Sequence, residues 1–188
     1  MNAPARTAEF AVERDPAKFT HNDFYAMQRC GAFDGMKVEL VDGGMERMAP
    51  AAGGHAVANF DVALKLAQAY GPGSRDIAVD LMIEIGETTV RASDVAVART
   101  KFAVDRAAYG EEVELLVEIA QTTVARDLGP KAQEYSMTGV EVYWAVDLAA
   151  RCTHVMSGAG AAAYQAREVV PFGQPLTVPG SDATITID

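Results

Sequence analysis

Apolar residues recur every third or fourth position in some stretches and alternate or run together in others, and these two patterns divide the chain into helices and strands. Phe24, Met27 and Cys30 follow Thr20, a natural N-cap, at helical spacing, and Gly31 can end the run, so a short helix is predicted over 21–30. Val38 and Leu40 then alternate with polar residues up to Asp42-Gly43-Gly44, with Met45 and Met48 beyond. Asp and Gly both tolerate positive φ, so this stretch reads as a hairpin with Glu39 on its first strand. Over 54–70, Val57, Phe60, Leu64 and Ala67 form an i, i+3, i+7 stripe of the kind helices turn toward a core, and Gly71-Pro72-Gly73 stops it.

Strand-like runs follow at 77–85, 88–91 and 94–98, the last nearly all apolar, as suits a strand covered on both faces. A charged loop over 101–112 leads to another apolar strand at 114–120, in which Glu118 stands out. The stretch 127–138 reads as a helix with Asp127 as candidate N-cap and Pro130 tolerated in its first turn. Asp127, Lys131 and Tyr135 then share one face by i, i+4 spacing. Gly139 closes the helix, VYWAVD at 142–147 is a further strand, and the remainder reads as short strands between Gly and Pro. The expected architecture is a mixed α/β (α+β) domain over 19–188, with a sheet of four or five strands and one crossover helix. Residues 1–18, with Pro4 and Pro16 and no periodicity, read as a flexible N-terminal arm.

Composition narrows the class. At 188 residues and 49% apolar content the chain is long and apolar enough for its own core, which excludes a disordered tail or a rod. The net charge of −10 has the wrong sign for unaided capture of a phosphate backbone, so any contact with nucleic acid needs a local basic patch or a bound cation. Cys30 and Cys152 lack metal-ligand spacing and suggest a reducing compartment. No apolar stretch reaches the length of a membrane span and no secretory h-region opens the chain, so a cytoplasmic protein with no membrane partner is expected.

Three acids lie where acids are costly: Glu39, Asp94 and Glu118, each on or beside a strand made otherwise of Val, Ile, Leu and Ala. One shared cation would answer all three, and hard oxygen donors favour Mg2+ or Mn2+ over zinc. Lys131, on the helix after the Glu118 strand, could reach the same point and hold a phosphate or orient a water. Taken singly, each acid also reads as a solvated strand end and Lys131 as a helix-surface lysine; their order and spacing set them apart. His55, after Gly53-Gly54, could cap the second helix or contact a substrate.

The segments VELVDGGM at 38–45, His55 at a helix start, SDVAVA at 93–98, LLVEIAQTT at 115–123, the Asp127/Lys131/Tyr135 ladder and GVEVYWAVD at 139–147 together resemble the Uma-two family of restriction-endonuclease-like proteins in the PD-(D/E)XK nuclease superfamily. The resemblance implies a restriction-endonuclease-like central sheet flanked by helices and a metal-dependent endonuclease that hydrolyses DNA, by default as a homodimer. It implies Asp94 and Glu118 as the metal-holding acids, Glu39 as a further metal or water ligand, and Lys131 as the lysine that in much of the superfamily lies two residues after the glutamate, where this chain has Ala120. Ser93 stands in place of the usual proline before the aspartate. His55 and Tyr135 match auxiliary positions near the pocket. The alternative is an inactive or regulatory module of nuclease-like fold that binds nucleic acid or protein.

Overall fold

The computed structural model describes residues 15–50 and 53–188; residues 1–14 of the expected arm lie outside them. Helix α1 (His21–Arg29) begins at Thr20, whose hydroxyl accepts from the Asp23 amide while the Asp23 carboxylate accepts from the Thr20 amide. This capping box satisfies two otherwise orphaned donors. Strands β1 (Lys37–Val41) and β2 (Gly44–Met48) form the predicted hairpin, turning through Asp42 and Gly43 at φ 49° and 80°. Two successive positive φ angles give the twist that a two-residue hairpin needs.

Helix α2 (Gly53–Tyr70) forms where predicted but turns its other side inward. It buries Val62 and Leu66, whereas Val57 and Phe60 are each 70% exposed and Leu64 43%. Both sides are apolar at helical spacing. Ala58, Ala63 and Ala69 accompany Val62 and Leu66 against Val95, Val97, Val117 and Ile119 of the sheet, and these small residues let the backbone approach closely.

Strand β3 (Ile77–Gly86) pairs antiparallel with β4 (Thr89–Ala98), which fuses the predicted runs 88–91 and 94–98 into one buried ten-residue strand. The polar residues in its middle do not interrupt it because neighbours supply their partners; the Ser93 hydroxyl, for example, donates to the Leu81 carbonyl at 3.1 Å. A short strand β5 (Ala108–Tyr109), inside the predicted loop, pairs parallel with β3 and leads through a 3-10 turn (Gly110–Glu112) into β6 (Val113–Ala120). The crossover that follows is α3 (Val124–Arg126), a π-helical turn (Asp127–Lys131) and α4 (Ala132–Met137); it returns the chain to β7 (Val142–Asp147), parallel to β6. Strands β8 (Cys152–Ser157) and β9 (Ala166–Pro171) extend the sheet antiparallel, and β10 (Leu176–Thr177) pairs with β11 (Thr184–Ile185) separately.

Among the described residues the main sheet therefore has nine strands, not four or five, because the hairpin and the late strands join it at its edges. Its central path runs β2-β1-β4-β6-β7-β8-β9, and all neighbours except β6/β7 and β3/β5 are antiparallel. Among the described residues no helix is long and apolar enough to cross a membrane.

One irregularity of the sheet positions Glu39 and Asp94. Strand β3 occupies one edge of β4 along nearly its whole length, so β1 and β6 share the other edge. β1 meets β4 at Leu40↔Val90 and β6 meets it from Val95↔Val117 onward, which leaves a fork in the sheet at Arg91, Ala92, Ser93 and Asp94.

Candidate functional site

At the fork, side-chain carboxylates replace the missing ladder. Glu39 of β1 accepts from the Ala92 amide at 3.0 Å, and Asp94 of β4 accepts from the Ile119 amide at 2.8 Å. Buried backbone donors have to be paired, and the acids pair them. Glu39 is only 1% exposed. Its second oxygen lies 3.2 Å from Arg91 Nη1, and Arg91 in turn grips Glu134 of α4 through Nε at 2.7 Å and Nη2 at 2.8 Å. Burial works against the Arg91 charge, but Glu134 and Glu39 outweigh it and hold the guanidinium above its ordinary pKa.

The crossover helix supplies the next layer. It starts before the predicted point, so Asp127 is not the N-cap; it lies buried inside the helical segment, where its carboxylate accepts from the Thr123 hydroxyl at 2.8 Å. Pro130 cannot donate a helical hydrogen bond, and it sits within the π-helical turn. Lys131, at the end of that turn and 2% exposed, places Nζ 2.9 Å from Glu118 Oε1 and 3.9 Å from Glu39 Oε1. One turn on, the Tyr135 hydroxyl donates to the same Glu118 oxygen at 2.7 Å.

These contacts fix the charge states. Burial, reinforced by the charges of Asp94 and Asp127 and opposed by Lys131 and the Tyr135 hydroxyl, pushes Glu118 up to about 7. Burial alone would discharge Lys131, but Glu118 and Glu39 more than reverse this and its pKa is raised. Lys131 is thus an ammonium at neutral pH: a fixed positive charge, not a proton acceptor. His55, in the first turn of α2, lies with Nε2 3.2 Å from Asp94 Oδ2 while its Nδ1 is buried without a hydrogen-bond partner among the described residues.

Asp94, Glu118, Lys131, Asp127 and His55 line one cleft of about 890 Å3. Glu39 lies behind it, reaching the cleft through Lys131 and Ala92. Tyr135 is fully buried beneath Glu118. The structure thus brings three of the four principal candidates to one wall and sets Glu39 one contact back. Among the described residues no group of three His, Cys, Asp or Glu side chains is disposed to hold a metal ion. Asp80, Asp94, Glu118 and Asp127 are the carboxylates that line the cleft; Asp80 is paired with Lys37 and Asp127 accepts from Thr123, and Asp94 and Glu118 are the pair expected to hold a cation. Arg91 and Glu134 belong to the site as well, although no motif in the sequence singled them out. The available signal was an arginine inside a strand otherwise made of small and apolar residues, which burial obliges to find an acid.

No curated protein matches this chain. Among solved structures it is similar to one from Anabaena variabilis ATCC 29413, described as "a putative nuclease belonging to DUF820", with 14% identity, a TM-score of 0.58, and coverage of 80% of this chain and 87% of that one. At that identity the likeness concerns the fold, and it agrees with a mixed α/β nuclease architecture. The family described as "Uma2: Putative restriction endonuclease" matches residues 21–187, a span that contains the fork, the crossover helix and every residue of the cleft wall, and the chain belongs to that family.

Proposed function

We propose that this protein is a cytoplasmic, metal-dependent phosphodiesterase that cuts DNA, with Asp94 and Glu118 as ligands of a Mg2+ or Mn2+ ion. The observation that carries the reading is the meeting of Asp94, Glu118 and the ammonium of Lys131 on one cleft wall. The donor set suits a hard cation: Asp94 and Glu118 are carboxylates of the cleft lining, and burial, with Asp94 adding to it, lifts Glu118 well above the usual carboxylate range. Mg2+ characteristically binds through one or two carboxylates and keeps several waters, so it does not require a third protein acid. The free cysteines, one of them exposed, favour a reducing compartment.

When bound, such an ion supplies Lewis acidity toward a phosphoryl oxygen and a water of lowered pKa. The chain's own residues do the rest. Lys131 holds a positive charge where a phosphoryl group would gain negative charge, and it needs no reorganisation because Glu118 and Glu39 already fix it. Tyr135 orients Glu118, and His55 orients Asp94. Glu39, expected from the sequence as a further metal or water ligand, acts instead from behind the cleft by holding Lys131 in place, its own charge balanced by Arg91.

The test is cleavage of plasmid and single-stranded DNA with Mn2+ or Mg2+, using Asp94→Asn and Glu118→Gln as shape-preserving controls. Both substitutions should lower cleavage at least a hundredfold, and Mn2+ should raise the melting temperature of the wild type more than that of Glu118→Ala. Intact DNA at high protein concentration together with equal metal shifts would remove the hydrolase reading; retention of uncut DNA on a filter would then favour a binding module.

A further inference from the structure

Phe60 of α2 is a large apolar side chain left 70% exposed, and unlike Val57 and Leu64 on the same side of the helix it lines the cleft. Two arginines also line the cleft: Arg47, exposed on β2, and Arg126, whose Nε is buried without a hydrogen-bond partner among the described residues. A further cation there, Lys37, is paired with Asp80 and neutralises itself. Among the described residues neither Arg47 nor Arg126 forms an ion pair, so both guanidinium groups are available to a ligand in the cleft, in a chain whose net charge is −10. A ring and two cations lining the same cleft as Asp94 and Glu118 match the chemistry of an unpaired nucleotide strand: bases stack on the ring and phosphates meet guanidinium groups.

We infer that the substrate class of this site is single-stranded or locally unpaired DNA, held by stacking of a base on Phe60 and by phosphate contacts from Arg47 and Arg126. This rests on the phosphodiesterase reading above and narrows it. A closed duplex keeps its base faces stacked inside, where Phe60 has nothing to stack on. Among the described residues the cleft-lining cations without an ion pair are Arg47 and Arg126, a number that suits the phosphates of one strand better than those of two. At about 890 Å3 the cleft is in the range of pockets that enclose small molecules, room for a short run of nucleotides over carboxylates that are themselves nearly buried.

The experiment measures binding with cleavage switched off. Fluorescence anisotropy in EDTA compares a labelled oligothymidine with a duplex of equal length, for wild type and for Phe60→Ala, Phe60→Trp, Arg47→Gln and Arg126→Gln. Wild type should bind the single strand at least fivefold more tightly than the duplex. Phe60→Ala should weaken single-strand binding by about five- to a hundredfold while Phe60→Trp preserves it. Each arginine substitution should weaken binding and flatten its salt dependence. Phe60 is exposed, so its variants should melt as wild type does. Equal or tighter duplex binding, no effect of Phe60→Ala, or a light-scattering result in which Phe60→Ala dissociates a dimer would overturn the inference. Stacking-dependent binding without cleavage would instead sink the phosphodiesterase reading alone, and cleavage of duplex DNA indifferent to Phe60 would sink the single-strand inference alone.

Discussion

The charge balance of the cleft turns on Lys131, a buried ammonium serving two buried carboxylates at 2.9 and 3.9 Å. Removing one partner of a buried pair leaves an uncompensated charge, so Lys131→Met should destabilise the fold by about 3–5 kcal/mol in urea unfolding. In the double variant Glu118→Gln/Lys131→Met the orphaned acid is gone, and the cost should fall short of the two single costs combined by about 0.5–3 kcal/mol. Strict additivity would mean that Lys131 does not depend on Glu118. The spacing of Lys131 and Tyr135 was legible in the sequence because i, i+4 residues share a helix face. That Arg91 clamps Glu39 against Glu134 was not, because the three belong to two strands and a helix far apart in the chain.

Among the elements, α2 and the crossover helix show where local patterns mislead. Periodicity identified α2 as a helix, but its two sides were equally eligible for the core, and only contact with the sheet chose the alanine-lined one. The crossover helix starts at Val124, with Thr123 as its N-cap, so the acid predicted to begin it, Asp127, becomes an interior member of the site. The packing of this helix has a sharp constraint at Gly110, in the turn before β6: a Cβ there would fall 2.5 Å from the carbonyl oxygen of Thr138, at the end of α4. Gly110→Ala should therefore cost about 1–3 kcal/mol, since overpacking displaces backbone that cannot yield cheaply. Because α4 carries Tyr135 and follows Lys131, the same substitution should also lower cleavage. An unchanged melting temperature would show that the two turns are free to part.

For the molecule as a whole, acid sensitivity offers a measure of the edge strands. His154 of β8 has its pKa lowered below the usual 6.5, first by burial and then by Arg167, whose guanidinium donates to Nδ1 at 3.1 Å, with Asp147 opposing. Cys152 Sγ lies 3.8 Å from the other ring nitrogen. A histidine whose folded pKa is depressed binds its proton more readily when unfolded, so it subtracts stability as pH falls through about 6.5 and is neutral in effect well above that. His154 should therefore subtract stability between about pH 7.5 and 5.5, against Glu118, whose raised pKa lets the folded state take up a proton first and adds stability as pH falls through about 7; in urea unfolding His154→Gln should leave the Glu118 contribution unopposed, so that stability rises more as pH falls than in the wild type. The same pH dependence in the variant would show that His154 contributes nothing to it.

The elements themselves were written in short-range pattern. The capping box at Thr20, the Asp42-Gly43 turn, the helical periods and the apolar strand runs are decided within a few residues by backbone sterics and local hydrogen bonding. The acids could be singled out because a carboxylate among Val, Ile and Leu is costly wherever those residues end up. What tertiary structure alone decided was which edges and faces meet. The fork of β1 and β6 along β4 sets Glu39 behind the cleft while Asp94 and Glu118 line it, and the outward turn of α2 leaves Phe60 lining the same cleft as Arg47 and Arg126. Those outcomes depend on the registry of strands and the close packing of small residues between segments remote in sequence, which no local pattern encodes.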